Sequence, residues 1–275
     1  MNTKPELTWE QAVLSLRNQP EAQALVLACF YDDPLVEAAR RYAASTEWSA
    51  VRALIRPPQV GRALDIGAGR GISSYALACD GWQVTALEPD GSDVVGAGAI
   101  RQLASDASLP ITVVQEWGEQ LPFGDASFDL VHCRQVLHHA RDLKQLCAEI
   151  GRVLKPGGRF IATREHVVSR HEDVPAFQAA HPLHALYGGE NAFMQSEYLQ
   201  AISEGGITVS HILNPKQSDI NLYPETQANI KRRWAQRLHL PFPQLIPDAL
   251  LAFVGSRSTA PGRLYTFAGR KPGGG

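Results

Sequence analysis

The chain has 275 residues, a formal net charge of −2 and 44% apolar residues, enough for one sizeable α/β core with additions. That near-neutral balance argues against the clustered basic surface a nucleic-acid backbone demands, and no stretch approaches the roughly 20 apolar residues of a membrane span. Cys29, Cys79, Cys133 and Cys147 lack paired CxxC spacing and read as reduced thiols, so the expectation is a cytoplasmic protein without nucleic-acid or membrane partners, a monomer or homodimer.

Before residue 60 the pattern is helical. Thr8 with Gln11 reads as a capping box, and Pro20 and Pro34 sit where a first helical turn tolerates proline. Three or four short helices are predicted, and residues 1–58 are expected to act as a helical lid. From Arg62 onward apolar strands alternate with amphipathic helices: ALDI, the helix SSYALAC, QVTAL, a helix from about Ser92, ITVVQ, FDLVHC, a helix from Asp142, and RFIAT. Such alternation predicts an α/β fold, a doubly wound, mostly parallel sheet with helices on both faces. In the helix after Asp142, Leu143, Leu146, Cys147, Ile150, Val153 and Leu154 mark one buried face, and Lys155-Pro156-Gly157-Gly158 stops it. A helix from Ser196 to Glu204, ended by Gly205-Gly206, leads to ITVSHIL, and RLYTFAGR follows as the last strand. These two complete a seven-stranded sheet. Two stretches, about 166–195 and 214–262, are longer than strand–helix connections usually run and are expected to be cap insertions in a core spanning 59–275. The closing KPGGG reads as a frayed tail.

The strongest chemical signal is Ala63-Leu64-Asp65-Ile66-Gly67-Ala68-Gly69-Arg70-Gly71, a buried strand entering a glycine turn that opens a helix. Glycines let backbone approach a ligand closely, and the helix start presents free amides. Asp65 places a carboxylate where a pyrophosphate would be repelled and an ammonium group welcomed. The nicotinamide fingerprint would also want a small residue at Ile72. Downstream, QVTALEPD puts Glu88 at the end of the second strand, where an acid accepts hydrogen bonds from both hydroxyls of a ribose. Leu121-Pro122-Phe123 and Phe128-Asp129-Leu130-Val131 follow, then Cys133-Arg134-Gln135-Val136-Leu137-His138-His139.

Over residues 60–165 this series resembles the class I, Rossmann-like S-adenosylmethionine-dependent methyltransferases of the small-molecule branch. The resemblance implies S-adenosyl-L-methionine as cofactor and O- or N-methylation of a small metabolite. It assigns Asp65, Gly67, Ala68, Gly69 and Gly71 to the methionine end, Glu88 to the ribose and Pro89 to the adenine. Alignment on the LPF run puts Trp117 where many relatives carry an aspartate for the adenine amino group, so ring packing and the Gly118 amide are expected instead. Cys133, Arg134 and His138 correspond to the segment touching the methionine part, and Tyr31 is a candidate to close over the cofactor. The runs HPLHALYGGENAF and NPKQSDINLYPET are similar to a bacterial subgroup associated with sugar or natural-product modification.

Catalytic candidates are His139, His166 and Glu165: His139, like His138, reads as a general base or as loop structure, and Glu165 and His166, at the carboxyl end of the fifth strand, as catalytic groups or as local hydrogen-bonding partners. His166, His171, His181 and His184 with Glu172 and Glu190 carry metal-ligand chemistry but no tight ligand spacing, and no metal is expected. Lys231, Arg232, Arg233 and Arg237 read as a solvated helix face or an anchor for an anionic substrate. Two other functions use the same motifs: cyclisation of the cofactor's aminobutyl carboxylate with release of methylthioadenosine, and a non-catalytic cofactor-binding subunit.

Overall fold

Four helices, α1 (Trp9–Arg17), α2 (Gln23–Ala28), α3 (Leu35–Ala43) and α4 (Thr46–Leu54), precede the sheet. The computed structural model describes residues 7–55 and 61–273, so the expected boundary at 58/59 and the last two glycines of the tail lie outside the described residues. The capping box at α1 forms in full: the Gln11 amide donates to Thr8 Oγ1 at 3.2 Å and the Thr8 amide to Gln11 Oε1 at 3.0 Å. Thr8→Ala removes one of these bonds and is expected to cost about 1 kcal/mol. Urea denaturation should show a lower midpoint with an unchanged slope.

Beyond them run β1 (Arg62–Ile66), α5 (Ile72–Cys79), β2 (Gln83–Leu87), α6 (Ala97–Ala107), β3 (Ile111–Val114), β4 (Phe128–Arg134), α7 (Leu143–Val153) and β5 (Leu154–Val168). Then come α8 (Val174–Ala180), α9 (His184–Tyr187), β6 (Phe193–Met194), α10 (Gln195–Glu204), β7 (Thr208–Leu213), α11 (Asp219–Leu222), α12 (Gln227–Arg237), α13 (Asp248–Ser256) and β8 (Arg263–Arg270). The sheet order is β3-β2-β1-β4-β5-β8-β7, with the two-residue β6 added at the end of β5. β1 to β5 pair in parallel, whereas β8 runs antiparallel to β5 and to β7. The seven predicted strands are present, and β6 is an eighth.

Both faces of the sheet are covered. α7 and α10 close one core with Leu64, Phe128, Phe160 and Phe267, while Trp48, Tyr42 and Tyr75 from α4, α3 and α5 close the other. α6 starts at Ala97, later than Ser92, because Asp90 Oδ1 accepts the Ser92 amide and Ser92 Oγ accepts the amides of Val94 and Val95. Side-chain turns of this kind compete with the helix for backbone donors. Lys155-Pro156-Gly157-Gly158 ends α7 but lies inside β5 as an irregularity: Phe128 pairs with Leu154, and pairing resumes at Leu130 with Arg159. Among the described residues no helix is long and apolar enough to cross a membrane.

Candidate functional site

At the carboxyl end of β1 the chain turns through Gly67, Gly69 and Gly71 with φ of 59°, 55° and 81°. Only glycine holds such a left-handed series cheaply. A side chain at Gly67 would also press on Val136, and one at Gly71 on Ile100. A cavity of about 400 Å³ sits over this turn, within the range that small-molecule sites occupy. Asp65, Gly67, Ala68 and Gly69 line it; Gly71, the N-cap of α5, shapes the bend from outside the lining.

Two carboxylates frame the turn. Asp65 is buried, with Oδ1 2.8 Å from His132 Nδ1 and Oδ2 accepting the Ser74 hydroxyl at 2.6 Å. Each oxygen keeps a lone pair for a ligand. Glu88 accepts the Gly69 amide at 2.8 Å and the Asp90 amide at 3.0 Å, so the end of β2 is tied directly to the glycine turn. Burial pushes its carboxyl up to about 7, outweighing those two amides, which pull it down. Pro89, Trp117 and Gly118 complete this end of the cavity. Trp117 is half exposed, and the Arg141 guanidinium covers its ring at 4.5 Å from the centroid.

The other end is built by the loop after β4, by the N-terminal helices and by residues 181–190. Tyr31 lines it and accepts a hydrogen bond from Trp9 Nε1 at 3.3 Å. His138, His139 and Arg134 line it too, and of the three catalytic candidates only His139 does so. Glu165 lies beneath the surface: its oxygens accept the Val136 and His138 amides, each at 3.1 Å, and stand 2.7 Å from His138 Nδ1. It therefore holds the shape of the loop. His166 is buried behind the lining, its Nδ1 2.8 Å from the Gly262 carbonyl. Cys133 is fully buried in the hydrophobic core and does not reach the cavity, because its strand position faces the α7 side.

The two long insertions differ. Residues 181–190 supply His181, Pro182, Leu183, Tyr187 and Glu190 to the lining, whereas residues 214–262 supply none. Instead Ile230, Ala235, Ile246 and Leu251 make a small core of their own. The basic run on α12 is used locally, with Lys231 on Asp248 and Arg233 on Glu225.

Sequence reasoning missed two buried ionic anchors. Arg70, inside the glycine turn, donates to the carbonyls of Val94, Phe30 and Asp32 at 2.8–2.9 Å and pairs with Asp33 at 2.5 Å. Glu47 on α4 is fully buried, 2.6 Å from Arg134 Nε and 3.9 Å from Arg164 Nη1. Neither has a periodic signal; only their charge at otherwise apolar helix or turn positions hinted at a partner.

Residues 64–162 match the family described as "Methyltransferase domain". The uncharacterized protein YafE of Escherichia coli (strain K12) is 31% identical over 170 residues, covering 61% of this chain and 72% of YafE. The chain belongs to the class I S-adenosylmethionine-dependent methyltransferase family. A dimethylglycine N-methyltransferase of Parasynechococcus marenigrum (strain WH8102) is 40% identical over 108 residues, 38% of each chain. This methyltransferase chain thus spans well under half the length of the first curated relatives it matches, 38–45%. Among solved structures, geranyl diphosphate C-methyltransferase from Streptomyces coelicolor A3(2) superposes with a TM-score of 0.60 at 17% identity, over 94% of this chain and 87% of that one. That likeness is one of fold.

Proposed function

We propose that the protein transfers the methyl group of S-adenosylmethionine to an oxygen or nitrogen of a small metabolite. The observation that carries this reading is a single cavity with a carboxylate-flanked glycine turn at one end and His139 at the other. At the first end the amides of the turn and Asp65 take the carboxylate and ammonium of the methionine part. Glu88 takes both ribose hydroxyls, and Pro89 and Trp117 sandwich the adenine beside the Gly118 amide.

Bound there, the cofactor would supply an activated methyl to the part of the cavity lined by His138 and His139. His139 would take the proton of an acceptor oxygen or nitrogen as that atom displaces the methyl from the sulfonium, leaving S-adenosylhomocysteine. Alignment of the two reactants supplies the larger share, on the order of 7–11 kcal/mol in favourable cases. Trp9, Leu25 and Tyr31 from the N-terminal helices, with Leu183 and Tyr187, wall the cavity off from water. A volume of about 400 Å³ shared with the cofactor leaves room for an acceptor of modest size, which supports a metabolite over a polymer.

The test is incubation of the pure protein with methyl-labelled S-adenosylmethionine and a small-molecule cell extract. Label in a low-mass product with equimolar S-adenosylhomocysteine is expected. Methylthioadenosine as the nucleoside product would replace transfer with cyclisation, and calorimetry without heat for S-adenosylhomocysteine would end the reading.

A further inference from the structure

We propose that His166, His181 and Glu190 bind a divalent transition-metal ion in the wall of the cavity. Donor atoms of these three residues lie within 4.8 Å of one another, although 24 positions of sequence separate the first from the last. A second group, His138, His139 and the same Glu190, meets the same limit. One buried carboxylate is therefore faced by four imidazoles.

Glu190 Oε1 accepts the Tyr187 hydroxyl at 3.1 Å, which leaves lone pairs on both carboxylate oxygens for a further partner. Glu190 stands 3.7 Å from His138 Nε2, 3.9 Å from His139 Nε2 and 3.9 Å from His181 Nδ1. All three are too long for hydrogen bonds. The His181 distance belongs to the proposed trio, and it suits donors sharing an ion, whose bonds of about 2.1 Å set neighbouring ligands roughly 3–4 Å apart.

The imidazoles are also oriented as ligands. The Nδ1 atoms of His138, His139 and His166 face Glu165, the Gly189 carbonyl and the Gly262 carbonyl at 2.7, 3.2 and 2.8 Å. A proton donated there leaves each Nε2 as a bare lone pair, the arrangement that fixes metal-bound histidines. His166 Nε2 and His181 Nδ1 are buried without a hydrogen-bond partner among the described residues, and His166 is only 6% exposed. Orphaned buried acceptors of this kind are costly unless something binds them.

Two nitrogens and one carboxylate favour zinc, iron or cobalt over magnesium or calcium. Because His181 and Glu190 line the cavity, an ion held by them would sit at its wall, open to a ligand bound there. There the ion would take an oxygen of the acceptor. That last step rests on the methyl-transfer reading, whereas binding of the ion does not.

The experiment uses the full chain, stripped with chelator and titrated with Zn²⁺ in a calorimeter and with Co²⁺ followed by visible absorption. One equivalent is expected to bind, with affinity falling roughly a hundredfold or more in His181→Gln and Glu190→Gln and unchanged in His211→Ala. S-adenosylhomocysteine heat, measured on every variant, shows that the fold and the cofactor end persist. No one-to-one Zn²⁺ binding, or variants that titrate like the parent, would overturn the site. Zn²⁺ binding without S-adenosylhomocysteine binding would leave the metal site standing and remove the cofactor reading alone.

Discussion

Glu47→Ala is expected to lower stability by about 3–5 kcal/mol, the usual cost of stripping one partner from a buried ion pair. Glu47 is fully buried and closes on Arg134 at 2.6 and 3.1 Å, with Arg164 at 3.9 Å. Alanine would leave two guanidiniums in a low-dielectric interior with no carboxylate near them. The rings of Phe30 and Tyr42, 5.6 and 5.4 Å from the Arg134 guanidinium, offset only a small part of that loss. For a chain of this size the thermal midpoint should fall by about 10 °C. Glu47→Gln, which keeps the shape and one acceptor, should fall in between. A loss below about 1 kcal/mol for the alanine variant would mean that water reaches Arg134 and that the pair is not an anchor.

The second large effect concerns Glu88. If its carboxylate accepts two ribose hydroxyls, at about 1.5–3 kcal/mol for each charged bond, Glu88→Ala should weaken S-adenosylhomocysteine binding by about a hundredfold or more. A pH signature accompanies it. Burial, and then the charges of Asp90 and Asp65, raise this carboxyl to about 7 against the amides of Asp90 and Gly69. Below that pH the free protein holds the protonated acid, so affinity should fall by about tenfold per pH unit as pH drops, and Glu88→Gln should erase the slope. Stability of the unliganded chain runs the opposite way. The folded state keeps this proton to about pH 7 while the unfolded glutamate releases it near 4.5, so the contribution of Glu88 declines as pH rises through that window. Calorimetry across the window that shows flat affinity would remove Glu88 from the ribose site.

The alternating pattern made most of the fold legible. QVTAL and RLYTFAGR are β2 and β8 to the residue, and Asp142 is the N-cap of α7. The misreadings occur where a side chain takes over a backbone role: the Asp90 and Ser92 turn delays α6, and the Gly157 excursion, with φ of 78°, is absorbed into β5. Most residues assigned to the cofactor line one cavity because their spacing is local, a strand end and the bend after it. Cys133 was misplaced because successive strand side chains point to opposite faces, and sequence does not say which side a ligand occupies; Glu165 was misplaced because its carboxylate is taken by the amides of the loop after β4. His166, His181 and Glu190 stood among six residues of ligand chemistry in the sequence, whose spacing could not single them out. They arrive from β5 and from the insertion, and only the folded sheet brings them together.

Arg70 carries a practical implication for anyone recombining this scaffold with a relative. Because one guanidinium inside the glycine bend grips Phe30, Asp32 and Asp33 on one side and Val94 on the other, the leading helices are not an exchangeable module. A chimera that imports a foreign front segment onto this core, or grafts this one elsewhere, has to carry both ends of that clasp. Otherwise the hybrid begins with an orphaned cation at the glycine bend that floors the cavity.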